Sequence, residues 1–337
     1  MRGSFRVVLA AVLVAFTLPA TAQNLTKVRF IHEWRFEGHV APFLVALDKG
    51  YYKEEGLDVT IDPGTGSVDG INRIAAGTYD IGQMDLNALI KYRDAKEATQ
   101  VKAVLITYNS PPFAILTLKK NNIASPKDLE GKILGAPAAD AAYAHWPILA
   151  ELNNVDSSKV KIENVGFPVR EALLAQGQVD AVTAFSSNLL GVKAAGVPEE
   201  EAGMLLMRDF GLDLYGSALM VNPTFMQNNP EAVKGFVRAT IRGFFDAFAD
   251  PEGAIESILK HNPVAKTDIE LERLKLVTKL SFLTDDVRQN GFGDADVERL
   301  SRSIDQLGIA FDFKNKPAAT DVFTSEFLPP KEERMVK

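Results

Sequence analysis

Trp34–Asp85, WRFEGHVAPFLVALDKGYYKEEGLDVTIDPGTGSVDGINRIAAGTYDIGQMD, is the stretch that decides the fold. A β-branched strand over Val28–Ile31 enters an aromatic loop. A helix over Pro42–Lys49, a strand over Val59–Ile61, a Gly-Ser turn, a helix over Ser67–Ala76 and a strand over Tyr79–Gln83 follow. This order puts Trp34, Gly66-Ser67 and Asp85 at the carboxyl ends of strands. Open α/β sheets hold small ligands there. No nucleophile or metal-ligand cluster lies nearby, so the segment reads as built for capture rather than catalysis.

Outward from it, the strand–helix alternation continues and predicts an α/β protein with mainly parallel strands. It breaks at Asn109-Ser110-Pro111-Pro112, where two prolines force extended backbone. A first crossover to a second lobe is placed there. Ser125-Pro126-Lys127-Asp128 is a capping box that opens the next set of units. Strands are expected at Ile133–Leu134, Val160–Val165 and Val179–Phe185, with helices over Ala139–Leu152, Val169–Ala175 and Asn188–Ala195. Two apolar strands, Met204–Met207 and Leu214–Val221, bracket a return crossover near Arg208. The expected division is a leader over 1–22, lobe I over 23–109 and 209–337, and lobe II over 110–208. Asn222-Pro223, Asn229-Pro230 and Asp250-Pro251 each pair an N-cap with a proline at the first helical position, predicting three successive helices. The second carries Val233, Phe236, Val237, Ile241, Phe244, Phe245 and Phe248 on one face, the spacing of a buried core helix.

The N-terminus reads as a cleavable export signal. Arg2 and Arg6 precede an apolar run over Val7–Leu18, too short to span a bilayer, and Ala20-Thr21-Ala22 suits cleavage. A chain starting at Gln23 loses two positive charges, so its net charge falls from −7 to about −9. Such an acidic surface disfavours nucleic acid as a partner. The chain has no cysteine, which excludes disulfides, thiolate metal sites, a cysteine nucleophile and a lipidated N-terminal cysteine. The four histidines, His32, His39, His145 and His261, lack metal-ligand spacing, so no metal and no cofactor is expected.

His39–Ile61, HVAPFLVALDKGYYKEEGLDVTI, resembles the signature segment of periplasmic substrate-binding proteins of ABC importers. The group is the nitrate/sulfonate/taurine and thiamine-pyrimidine-precursor binding family. Gly64–Asp85, Val101–Lys119, Ser125–Asp140, Leu173–Val182 and Asp213–Asn222 resemble later family segments in order. The resemblance implies a two-lobed type II periplasmic-binding-protein fold with a double-crossover hinge. It also implies an inner-membrane ABC permease partner, a periplasmic location and no chemistry. A monomer suits hinge closure. Fungal members of the wider group make a pyrimidine with a cysteine-rich motif and a histidine, and a desulfinase on this fold uses a cysteine. Neither activity fits a chain without cysteine.

The candidate ligand contacts follow from position. Trp34, Phe36 and His39 line the mouth loop, where a ring stacks on a flat ligand. Phe43 reads as core. Gly66-Ser67 offers helix-start amides, with Ser67 the natural cap, and Asp85 offers acceptors to an amine or amidine. Asn109 and Ser110 sit at the first crossover, Asp209 and Tyr215 at the second. Asp140, Tyr143, Phe185 and Ser186 face the cleft from lobe II. This aromatic set with scattered acids and hydroxyls favours a flat heterocycle, such as a thiamine-pyrimidine precursor, over a small oxyanion. A sulfonate or other organic anion is the alternative, and an exported enzyme on the same fold is a third reading.

Overall fold

The computed structural model describes residues 25–95, 97–138 and 140–336. The expected leader therefore lies outside the described residues, as does Ala139. The strands are β1 (Thr26–His32), β2 (Leu57–Asp62), β3 (Ile81–Asp85), β4 (Lys102–Ile106), β5 (Phe113–Leu118), β6 (Ile133–Ala136), β7 (Lys161–Asn164), β8 (Ala181–Phe185), β9 (Ala202–Leu206) and β10 (Ser217–Val221). They form two five-stranded sheets, ordered β2-β1-β3-β10-β4 and β7-β6-β8-β5-β9.

Each sheet holds one strand that runs against the rest. β10 is antiparallel to both β3 and β4, and β5 to both β8 and β9. The cause is the crossover. Strands of both lobes end at the cleft, so one arriving directly from the other lobe starts there and must run the opposite way. The chain leaves the first sheet after β4, enters the second at β5, leaves it after β9 and returns at β10. The return strand is shorter than the sequence suggested. Leu212, Leu214 and Tyr215 are buried in a non-strand connection instead.

The Phe-rich helix Pro230–Ala249 is core, packed on the helix Ala41–Asp48. Phe236 and Phe244 are fully buried, and Phe43 stacks on Phe30 at 5.2 Å. Each such side chain contributes roughly 1.5–3 kcal/mol of burial. The two helices approach so closely that a Cβ on Gly243 would lie 2.2 Å from the Pro42 carbonyl oxygen. On the opposite, solvent-facing side Arg238 and Arg242 pair with Glu55 and Glu54. The expected helix over Ala139–Leu152 is split into Ala141–Ala144 and Trp146–Leu152. Pro147 explains the break, since its ring clashes with the carbonyl of a preceding helical turn and it has no N–H to donate. The Ser125–Asp128 capping box forms, but it opens a 3-10 turn over Pro126–Leu129.

Both crossovers are tied to the C-terminal helices. Asn109 donates to Asp286 at 2.7 Å, and its carbonyl oxygen accepts from Arg299 at 3.0 Å. Ser110 Oγ accepts from Arg208 of the other crossover at 2.9 Å, and Arg208 also donates to the Leu280 carbonyl. Tyr215 lies under the Arg299 guanidinium at 4.0 Å. The helix Thr267–Val277 also reaches the second lobe, where Glu272 pairs with Lys193 at 2.6 Å. Two strands of backbone braced in this way suit hinge closure.

Candidate ligand cleft

The carboxyl end of β1 delivers Glu33 and Trp34 to the cleft. Glu33 is the centre of the arrangement. Its Oε2 accepts from Ser67 Oγ at 2.6 Å and its Oε1 from Ser217 Oγ at 2.6 Å. Ser67 Oγ in turn accepts from the Asp85 backbone N–H at 2.9 Å. Ser67 therefore does not cap its helix, as the sequence suggested; it joins β1, β3 and its own helix in one knot. The preceding Gly66 makes this possible. It sits at φ 131° and ψ 157°, a conformation open to glycine, and donates its N–H to the Glu33 carbonyl at 2.9 Å.

Asp85 caps the helix Leu86–Arg93 by accepting from Ala88 N–H at 2.8 Å, and it also accepts from Asn87 Nδ2 at 3.2 Å. Asn87 Nδ2 reaches the Tyr215 carbonyl as well, at 2.9 Å. Burial, then the charge of Glu33, pushes the Asp85 carboxyl up to about 7, against the bonds from Ala88 and Asn87. Burial also pushes Glu33 up, opposed by the Ser217 and Ser67 hydroxyls. The buried Tyr108 phenol is raised too, by burial first and then by the Glu33 charge.

The pH consequence has a definite sign. Asp85 binds its proton more tightly folded than unfolded, so its contribution is fully present below the ordinary carboxylate value and is lost as pH rises through about 7. Asp85→Asn, which keeps the cap, is expected to melt higher than the parent at a pH of about 8, with the gap closing near pH ~4. A gap that does not change with pH, measured by thermal denaturation across that range, would contradict this assignment.

The other expected contacts are distributed as follows. Trp34 is partly exposed, with the Arg35 guanidinium 5.3 Å from its ring. Phe36 turns back into lobe I, edge-on to His261 at 6.1 Å, with its carbonyl accepting from Asn262. His39 lies 5.6 Å from His32, and burial, then Arg273, lowers it to about 3, so it is neutral at pH 7. Asn109, Ser110 and Tyr215 are engaged in the hinge bonds described above, and Asp209 is exposed beside Arg208. In lobe II, Asp140 is buried, accepting from Thr183 Oγ1 at 2.6 Å with Arg170 at 3.6 Å. Tyr143 is half-buried against the core. Phe185 leans on Phe113 at 5.7 Å, and the buried Ser186 Oγ has no partner.

Glu33, Ser217, Tyr108, Asn87 and Arg170 escaped the sequence reading. Glu33 was within reach, because it ends the same strand as Trp34. Ser217 and Tyr108 were not, since only strand pairing brings β10 and the end of β4 to β1. Two surface hollows lie elsewhere, one beside Phe248, Lys275 and Arg288, the other beside Asp80, Asn222 and Phe225. Neither is lined by any of the contacts expected from the sequence. No group of three or more potential metal ligands occurs among the described residues.

The model of the family described as NMT1/THI5 like matches residues 37–254. This chain belongs to that family. Among its relatives, the riboflavin-binding protein RibY of Chloroflexus aurantiacus is 27% identical, over 95% of this chain and 91% of its own. The formylaminopyrimidine-binding protein of Halalkalibacterium halodurans is 26% identical, over 96% of this chain and 98% of its own. A 4-amino-5-hydroxymethyl-2-methylpyrimidine phosphate synthase of Legionella pneumophila is 26% identical over 72% of this chain and 76% of its own. In fold, the periplasmic aliphatic sulphonate binding protein SsuA of Escherichia coli superposes with a TM-score of 0.68 at 11% identity, covering 92% of this chain and 97% of that one.

Proposed function

We propose that this family member is the exported solute receptor of an ABC importer, and that it captures a flat heterocycle between its lobes. What supports the reading is the two-sheet architecture: the chain passes between the sheets twice, each time where parallel strands end, both connections are short and braced, and Trp34 lies partly exposed just past β1, so a ligand held between the lobes would favour closure. Two relatives named for binding riboflavin and formylaminopyrimidine, both flat heterocycles, support it. Among the described residues no helix is long and apolar enough to cross a membrane. Residues 1–22 would direct export, which N-terminal sequencing of the periplasmic fraction tests.

Titration of the mature chain with riboflavin and with formylaminopyrimidine, against nitrate and alkanesulfonates, tests the ligand class. Trp34→Ala is expected to weaken the binding of whichever heterocycle is held by roughly ten-fold or more, the scale of losing a ring contact. Unchanged affinity by calorimetry would remove Trp34 from the site.

The synthase relatives favour one second reading, an enzyme on the same fold. The chain has no cysteine, and the histidines near the cleft are held neutral by burial. Turnover of a bound heterocycle by the purified protein would decide for that reading.

A further inference from the structure

Trp34 lies on a bend, outside any strand or helix, so the angle of its ring is left to the contacts of the turn that carries it. The Glu33 carbonyl accepts from Gly66 N–H at 2.9 Å, and the Trp34 carbonyl from Gly64 N–H at 3.4 Å. The Trp34 N–H donates to Nδ1 of the His32 imidazole at 3.1 Å. Gly64 packs so closely against this turn that a Cβ on it would lie 2.2 Å from the His32 carbonyl oxygen.

Packing alone gives a poor account of a histidine in this place. His32 is fully buried at the end of β1, with its ring 5.6 Å from both His39 and Phe43. An apolar side chain would fill that space without burying polar atoms. The well-formed hydrogen bond of the imidazole is the one it accepts from Trp34; its Nε2 has Gln83 in range but no partner in good geometry. A poorly paired buried N–H is costly, and the bond to Trp34 is what the ring supplies in return. A neutral imidazole accepts at Nδ1 when its proton sits on Nε2. Burial, then the charge of His39, lowers His32 well below the ordinary histidine value, so the acceptor is present at pH 7.

We propose that His32 is a positioning residue: through the Trp34 N–H it fixes the mouth turn, and so presents the Trp34 ring in one orientation before a ligand arrives. This rests on the reading of Trp34 as a ligand contact. An indole already held in place costs less ordering entropy on binding than a free one, so the clamp adds affinity without touching the ligand.

Fluorescence tests the clamp without any ligand. The chain has two tryptophans, so a Trp146→Phe background leaves Trp34 as the sole reporter. In that background His32→Leu removes the acceptor and keeps the space filled. Its Trp34 emission is expected to lose anisotropy and to become more accessible to acrylamide. His32→Phe, a flat ring without an acceptor, serves as the second loss variant. His32→Asn places an oxygen near the position of Nδ1, able to accept from the N–H two residues on, and is expected to restore both readouts. Circular dichroism confirms that each variant folds. In calorimetry with riboflavin and with formylaminopyrimidine, His32→Leu should weaken whichever binds by roughly 3- to 10-fold, the worth of one neutral hydrogen bond, with His32→Asn near the parent. Unchanged anisotropy and quenching in the loss variants, or His32→Asn no better than His32→Leu, overturns the proposal. If Trp34→Ala weakens binding and His32→Leu does not, the contact stands and the positioning role falls. If Trp34→Ala leaves affinity unchanged, the reading of Trp34 as a contact falls, and the emission still decides whether His32 holds the ring.

Discussion

Arg170→Ala is expected to lower the unfolding free energy by about 3–5 kcal/mol, the range for stripping one partner from a buried ion pair. Arg170 and Asp140 are each 4% exposed. The guanidinium lies 3.6 Å from Asp140 Oδ2, donates to the Thr183 carbonyl at 3.1 Å and reaches Glu171 at 2.7 Å. Without it, Asp140 remains in the lobe II interior with only the Thr183 hydroxyl and the Ala142 N–H to stabilise its charge. Burial already pushes its carboxyl up, and losing the Arg170 charge pushes it further. The loss should therefore grow with rising pH. Urea denaturation of Arg170→Ala alone and combined with Asp140→Asn checks the cause. The double variant should recover part of the loss, because a neutral amide no longer needs a counter-ion. No recovery would mean that Arg170 acts through packing, including its stack on Phe167 at 5.7 Å.

The second large effect lies in lobe I. Phe244→Ala is expected to cost about 3–5 kcal/mol, as for other buried aromatic truncations. Phe244 is fully buried, with ring centroids 5.2 Å from Phe43, 5.2 Å from Phe282 and 4.8 Å from Phe292. These four rings come from three helices and a turn far apart in the chain, so no single one can shift to fill the hole. Phe282 stands edge-on to Tyr108 at 4.7 Å, and Tyr108 lies within range of the Glu33 charge, which links the cluster to the proposed ligand site. Ligand affinity should therefore fall alongside stability, while Phe244→Leu should lose less of both. A loss below about 1 kcal/mol by chemical denaturation would show that the cluster collapses around the gap.

Much of the architecture was legible along the chain because it rests on local rules. Alternating strand and helix periods, the Pro111-Pro112 break and the Asn-Pro helix starts place most elements within a few residues. The Phe stripe of Pro230–Ala249 announced its buried face by spacing alone. Errors arose where a local rule met a competing one. Pro147 divides a helix that the apolar pattern would continue. Ser67 stands where a cap is expected, but its hydroxyl donates to Glu33 and accepts from the Asp85 N–H instead. Asp140 stands at a strand end by sequence, and the structure adds that it is buried beside Arg170 and Thr183.

The amino-acid order alone determined the strand–helix alternation, the two crossovers and the presence of rings and acids near strand ends, because backbone propensity and hydrophobic period act over a few residues. Only the tertiary structure decided which of those groups meet. Glu33, Ser67, Asp85 and Ser217 come from positions as far apart as 184 residues and share one hydrogen-bonded knot. That meeting depends on β10 returning antiparallel beside β3, a pairing set by which lobe the chain enters from and invisible to any local window.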